Sequence, residues 1–320
     1  MKFVILSLLL GLAWPAQAGE WKSRQVGRME TLVYHPTDKP GTRERRSLMI
    51  SLHGCDQSPE TLQKHGNWEA AADEGGMLVA LPRVPEGGVI MGCWDYYGAD
   101  HKVTNRHNKD LIDLAETLVA DKELRIDPSR VYVSGLSSGG GEAMVLACLR
   151  PDLFSGVGLS SAPGIGTGIA DLHQARLDVN EAVRLCTELA GDHKAGFATQ
   201  SAAIITGDND YLVNPGHSEL NRDVFRKLYG ADREIQVDPK SLPGTRTAGE
   251  AHMYFPGAQG PGGYRVAHIV NSGLGHAWPA GQGGSATQFV AKDSVNFPLF
   301  LVRYFAQNHT QGGSQTRVRR

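Results

Sequence analysis

The segment "RVYVSGLSSGGGEAMVLACLR" at 130–150 constrains the fold more than any other part of the chain. Its first six residues read as a buried strand, and 141–150 reads as a helix stopped by Pro151. Between them lies Gly135-Leu136-Ser137-Ser138-Gly139, a G-x-S-x-G pattern. Those five letters recur by chance; a strand before them and a helix after them give them meaning. A serine driven into a sharp strand-to-helix turn has a strained backbone, and small residues at 135 and 139 relieve the crowding. The turn projects the Ser137 hydroxyl above the sheet, and the helix N-terminus behind it favours developing negative charge. The plainer alternative is a glycine-rich turn with an incidental serine.

The rest of the chain supplies the sheet that such a turn requires. Apolar strand patterns fall at 47–54, 77–82, 130–135, 154–162, 201–208 and 264–273, with helical patterns at 60–76, 108–124 and 141–150. Alternation of this kind predicts an α/β fold with a mostly parallel sheet covered by helices on both faces. No clean boundary for a second domain appears, so one catalytic domain over 19–307 is expected, followed by a flexible tail at 308–320. The stretch 238–263 is read as part of a substrate cleft or a surface hairpin.

A serine hydroxyl is a poor nucleophile until a base takes its proton. In this topology the acid and then the histidine follow the serine along the chain. "GDNDYLVNP" at 207–215 offers Asp208 and Asp210, and "SGLGHAWPAG" at 272–281 offers His276 in a loop shaped by glycines and Trp278. His268 lies within an apolar strand pattern and reads as packed; His217 and His252 lack a comparable loop. Acyl transfer also needs fixed donors for the tetrahedral oxyanion. The backbone N–H of Ser138 is one candidate, and that of Cys55, after Gly54 in "LHGCDQS", is the other.

At the N-terminus one lysine, an apolar run from Phe3 to Trp14 and then Ala16-Gln17-Ala18 have the order of a secretory signal. The run is short of the roughly 20 apolar residues that a spanning helix needs. Cleavage after Ala18 is expected, giving a secreted or periplasmic protein with no membrane attachment. Export favours disulfides. Four cysteines permit three pairings; Cys55–Cys93 with Cys148–Cys186 is the favoured one, buried free thiols the alternative. The 32 Lys+Arg nearly balance 34 Asp+Glu, so no nucleic-acid partner is expected. The twelve histidines show no HExxH or similar metal spacing, and neither metal nor organic cofactor is expected.

"LHGCDQS", "CWDYY", "IDPSRVYVSGLSSGG", "RPDLFSGVGLSSAPG", "GDNDYLVNP" and "GLGHAWPAGQ" together resemble the polyhydroxybutyrate depolymerase-like esterases. These are a branch of the α/β-hydrolases that includes feruloyl and acetylxylan esterases. The resemblance spans roughly 47–305. It implies an α/β-hydrolase with Ser137 as nucleophile and His276 as base. The family's G-x-x-D-x-x-V pattern maps to Gly207, Asp210 and Val213, selecting Asp210 over Asp208. Secreted polymer-degrading members often carry a linker and a polymer-binding domain. This sequence ends shortly after the catalytic unit, an expectation against efficient attack on solid polymer.

The expected activity is therefore hydrolysis of carboxylic esters, polymeric or not: polyhydroxyalkanoate or its oligomers first, a feruloyl or acetylxylan ester second. Trp94, Tyr96, Tyr97 and Trp278 are candidate aromatic walls of the substrate cleft, with core packing as the alternative. Amide hydrolysis uses the same triad. A catalytically silent binding module is the competing reading from another class, and chromogenic ester turnover distinguishes it.

Overall fold

Apolar runs with no polar alternation become strands buried on both faces. In the computed structural model, which describes residues 19–37, 45–245, 249–257 and 263–308, those runs form the middle of a ten-stranded sheet. The chain opens with β1 (Glu20–Val26), β2 (Met29–His35) and β3 (Arg46–Leu52). Helices α1 (Pro59–His65) and α2 (Trp68–Gly75) lead to β4 (Met77–Pro82). Next come α3 (Asn108–Ala120), β5 (Ile126–Leu136), α4 (Ser138–Leu149) and β6 (Gly156–Ser160). After α5 (Val179–Ala190), β7 (Ser201–Gly207) and α6 (Gly216–Tyr229) follow β8 (Arg233–Gln236), β9 (Gly249–Phe255) and β10 (Val266–Asn271). Two short strands, β11 (Trp278–Pro279) and β12 (Val290–Ala291), precede α7 (Phe297–Asn308).

The sheet order is β1-β2-β4-β3-β5-β6-β7-β10-β9-β8. Strands β4, β3, β5, β6, β7 and β10 are parallel, and an antiparallel pair closes each edge. Side chains alternate across the sheet as the pleat requires. On β3, Leu48, Ile50 and Leu52 join the core under α3–α6, while Met49 faces the core under α1, α2 and α7. Each face therefore carries its own apolar layer. Cys55 is bonded to Cys93 and Cys148 to Cys186.

Several sequence expectations need correction. The helix expected over 60–76 is two helices, because Asn67 adopts a left-handed φ of 61°. Its side-chain amide donates to the carbonyls of Ala280 and Gln282 at 2.8 and 2.7 Å, contacts that a straight helix would forfeit. Strands β1, β2 and β8 escaped the apolar-run criterion; β1 and β8 are largely solvent-facing edges. Of the stretch 238–263, residues 249–255 form β9, within the sheet beside β10. The expected leader at 1–18 and residues 309–320 of the expected tail lie outside the described residues, while Asn308, expected to begin the tail, is buried at the end of α7. Among those described, no helix is long and apolar enough to cross a membrane.

Candidate active site

Ser137 directly follows β5 and caps α4 with φ 56° and ψ −121°, a strained conformation for a residue with a Cβ. Hydrogen bonds hold it there: its N–H donates to Ser160 O at 3.0 Å and its carbonyl accepts from Gly141 N at 2.9 Å. The flanking glycines are required by close approach. A Cβ on Gly135 would stand 2.2 Å from Gly139 O, and one on Gly139 would stand 2.4 Å from His53 O. The helix that follows is buried throughout, while Ser137 itself keeps some exposure.

Asp210 follows β7 and His276 follows β10, and those strands are neighbours. Asp210 Oδ1 accepts the N–H groups of Leu212 and Val213, both at 3.0 Å. Its Oδ2 lies 2.8 Å from His276 Nδ1, with both side chains buried. A carboxylate only accepts, so Nδ1 carries the proton and Nε2 is left as the basic nitrogen. Burial pushes the Asp210 carboxyl up, but the His276 hydrogen bond and charge and the Val213 N–H outweigh it, and its pKa is lowered.

Asp208 has a different role. It is exposed, and it accepts from Ser272 Oγ at 2.8 Å and Gly273 N at 2.6 Å, pinning the loop that carries His276. The two loops touch closely enough that a Cβ on Gly207 would meet Leu274 O at 1.9 Å. The other candidate histidines are engaged elsewhere. His268 pairs with Ser218, and burial holds its pKa near 3. His217 binds Asp171 O and Gly164 N, and His252 sits between Glu234 and Glu250.

The loop after β3 lies against Ser137: a Cβ on Gly54 would reach Ser137 Cβ at 3.4 Å. Ser138 is the first residue of α4, so its N–H lacks an intrahelical acceptor. His53, which the sequence reading passed over, holds the Gly54–Cys55 peptide. Its Nδ1–H donates to Gly54 O at 2.8 Å while its Nε2 accepts from Val84 N at 3.4 Å. Burial lowers its pKa to about 4, so the ring is neutral and this tautomer persists. Gly54 C=O and Cys55 N–H belong to one planar peptide, so fixing the first aims the second. Gln57 completes the clamp, accepting from Gly54 N at 2.9 Å and donating to Phe289 O at 3.3 Å. The Phe289 ring stands edge-on to His276, 5.8 Å between centroids. A histidine directly before a glycine, just after a buried strand, was the available signal.

The aromatic wall is corrected. Trp94, Tyr96 and Trp278 are buried, and none lines an open cleft. Trp94 Nε1 donates to His53 O at 2.9 Å and Trp278 Nε1 donates to Gly66 O at 3.1 Å, while Tyr96 packs on Gly141. Trp94 and Tyr96 thus pack against residues at the elbow, and Trp278 packs in the core with Trp68 and Phe297. Tyr97 and Phe289 are partly exposed, and Tyr211, next to Asp210, is strongly exposed. Among the described residues, no group of three or more His, Cys, Asp or Glu is placed to hold a metal ion.

A parallel sheet with antiparallel edges, a strained serine at a strand–helix elbow and an Asp–His pair on later strands define an α/β-hydrolase. Residues 32–233 match the family model described as esterase PHB depolymerase, and the chain belongs to that family. It is 33% identical to a poly(3-hydroxybutyrate) depolymerase of Ralstonia pickettii over 94% of this chain and 64% of that protein. It is 24% identical to poly(3-hydroxyalkanoate) depolymerase C of Paucimonas lemoignei over 82% of this chain and 61% of the relative. The chain thus spans somewhat under two thirds of the length of each. Among solved structures, an acetyl xylan esterase from Aspergillus awamori shares the fold, with TM-score 0.62, 14% identity and coverage of 81% of this chain and 94% of that one.

Proposed function

We propose that this protein is an exported serine esterase that hydrolyses polyhydroxyalkanoate or its oligomers through an acyl-enzyme. Ser137 Oγ attacks the ester carbonyl carbon while His276 Nε2 takes its proton. The N–H groups of Ser138 and Cys55 receive the tetrahedral oxyanion. As the carbon–oxygen ester bond breaks, His276 returns the proton to the departing alkoxide, leaving Ser137 acylated. Water, deprotonated by the same nitrogen, then releases the acid and restores the serine. Asp210 orients the imidazole and stabilises its charged form.

The observation that carries this reading is the buried 2.8 Å Asp210–His276 contact, whose two residues follow the second and third strands along the sheet from the strained Ser137. Family membership and the names of the two depolymerase relatives support the substrate class. Export is supported by the two disulfides together with the leader pattern of 1–18.

The test is turnover of hydroxybutyrate oligomers, feruloyl esters and acetylated xylan by the purified chain, alongside a chromogenic short-chain ester. Preference for the oligomers is expected. Preference for either of the others would replace the substrate, and failure on every ester would overturn the activity.

A further inference from the structure

Leu136 and Ser160 are register partners at the ends of the adjacent strands β5 and β6. The residues after them, Ser137 and Ser161, therefore leave the sheet side by side at its carboxyl edge. Both turn into the left-handed region, with φ 56° at Ser137 and 44° at Ser161. Residues with a Cβ rarely hold that conformation, and those that do gather at functional sites. The elbow accounts for the strain at Ser137. It does not account for the strain at Ser161.

The turn that carries Ser161 touches both halves of the site. On one side Ser160 O accepts Ser137 N at 3.0 Å, and Ala162 lies against α4, where a Cβ on Gly140 would stand 2.6 Å from Ala162 Cβ. On the other, Ser161 N donates to Ile205 O of β7 at 2.9 Å, and β7 ends at Gly207, whose carbonyl accepts Asp210 N at 3.4 Å. Ser161 is thus wedged between the elbow and the loop of Asp210.

Its hydroxyl has no other use. Ser161 is buried, and its Oγ has no hydrogen-bond partner of ordinary length and angle. It nevertheless stands beside the Asp210 carboxylate: burial raises the Asp210 pKa, while His276, the Val213 N–H and the Ser161 hydroxyl lower it. A carboxylate offers about four acceptor sites. Leu212 N and Val213 N occupy Oδ1, and His276 Nδ1 occupies one site on Oδ2, so Oδ2 keeps one open. A hydroxyl needs only a turn about its Cα–Cβ bond to meet such an acceptor, and a buried one left unpaired is costly. Enclosed as it is, Ser161 reaches neither ester nor water.

We propose that Ser161 is a positioning residue for the acid: its hydroxyl donates to the open site of Asp210 and, with the Leu212 and Val213 N–H groups, fixes the carboxylate against His276 Nδ1. The left-handed backbone at Ser161 sets the direction in which that side chain leaves the turn, so the strain serves the acid as the strain at Ser137 serves the elbow. This rests on the serine-esterase reading of the site. Asp210 matters most when the imidazole is charged, in the transition state, so the contribution belongs to kcat and not to KM.

The test is a double-mutant cycle on a soluble short-chain ester. Ser161→Ala should lower kcat about tenfold and leave KM within about twofold. In an Asp210→Ala background, where no carboxylate remains to be held, the same change should cost less than about twofold. Ser161→Gly removes the hydroxyl and relieves the backbone; it should lose as much kcat as the alanine variant without loss of thermal stability, and it carries the test if Ser161→Ala misfolds. Equal losses with and without Asp210 would assign Ser161 a merely structural part and overturn the proposal, as would an unchanged kcat in both the alanine and glycine variants. Carbon-13 titration of the Asp210 carboxyl reads the same contact without turnover. Its pKa should move up when the hydroxyl is removed, because a donor to the charged form is lost; no movement overturns the proposal. A parent inactive on every ester would sink the esterase reading alone, and the titration would still decide whether Ser161 holds Asp210.

Discussion

The bonds Cys55–Cys93 and Cys148–Cys186 each span 38 positions, so the chain-entropy model gives them equal stabilisation, about 3–4 kcal/mol as an upper figure. Their surroundings differ. Cys148 and Cys186 are fully buried and join α4 to α5 inside the apolar core. Cys55 is partly exposed, and its bond ties the loop after β3 to the segment that holds Met91 and Trp94. Both bonds restrict the unfolded chain alike, but only the first adjoins a backbone N–H proposed to meet developing charge. Equal covalent constraint should therefore give unequal functional consequences, according to what lies one residue away.

The largest effect sets the scale for that comparison. Ser137→Ala should reduce ester turnover by about 10⁴-fold or more while both disulfides and the melting temperature are kept. A serine-directed phosphonate should label the parent and not the variant. Labelling elsewhere in the parent would move the nucleophile, and with it the reason for ranking the front disulfide above the rear one.

Next in size is a contrast between two aspartates on one loop. Asp210→Asn leaves the shape intact but removes the acceptor that fixes the His276 tautomer, and turnover should fall on the order of 10³–10⁴-fold. Asp208→Asn keeps an acceptor oxygen for Ser272 or Gly273 and should cost less than about tenfold. Steady-state kinetics on a soluble ester decides between them. Equal losses would mean that Asp208 does more than pin the histidine loop.

The comparison itself is tested by Cys55→Ala and Cys148→Ala. Losing one oxyanion donor typically costs 10²–10³-fold in kcat; loosening one should cost less. Cys55→Ala is expected to lower kcat about 10–100-fold with little change in KM, because the donor acts mainly in the transition state. Cys148→Ala should leave kcat per folded molecule unchanged and lower the denaturant midpoint. Equal kcat losses would erase the distinction between front and rear.

Much of this was legible because buried strands and the elbow leave local marks. The apolar runs of β3, β4, β5 and β7 need no partner to be recognised, and Gly135 marks a crowding against Gly139 and Gly140 that occurs within one turn. What escaped depends on distant partners. The break at Asn67 is fixed by carbonyls more than 200 positions away. Whether Trp94 and Trp278 belong to a cleft or a core turns on Nε1–H acceptors at His53 and Gly66, 41 and 212 positions distant. Strand β8 is exposed along its whole length, so it has no apolar alternation to read. Asp208 and Asp210 were separable only through the family's pattern, since each is an aspartate at the end of the same strand.

The smallest expected effect concerns the helix that joins front to rear. Helix α4 begins at Ser138, a proposed oxyanion donor, and carries Cys148 near its end, and between them lies Glu142, a wholly buried carboxyl whose oxygens both lack a hydrogen-bond partner. Burial first, and then the charge of Asp95, raises its pKa well above the usual carboxylate value. Asp95 has Arg106 3.9 Å away as partial compensation; Glu142 has no such partner. The sign follows from linkage. With the folded pKa raised, stability is complete below the ordinary glutamate range near 4.3 and declines as pH rises from there toward the folded value, with a slope of up to about 1.4 kcal/mol per pH unit. Glu142→Gln should remove that slope. Urea midpoints of parent and variant should nearly coincide at pH 4 and separate at pH 8 in favour of the variant. Protonation of His53 near pH 4 affects both proteins alike and cancels in the difference. Parallel curves across that range would mean that Glu142 stays protonated throughout or finds a partner on ionising. Convergence at pH 8 in place of pH 4 would reverse the sign and overturn the account. Because Cys148 ties the far end of α4 to α5, alkaline loosening should begin at the Ser138 end, and turnover should fall with pH before the rear of the molecule unfolds.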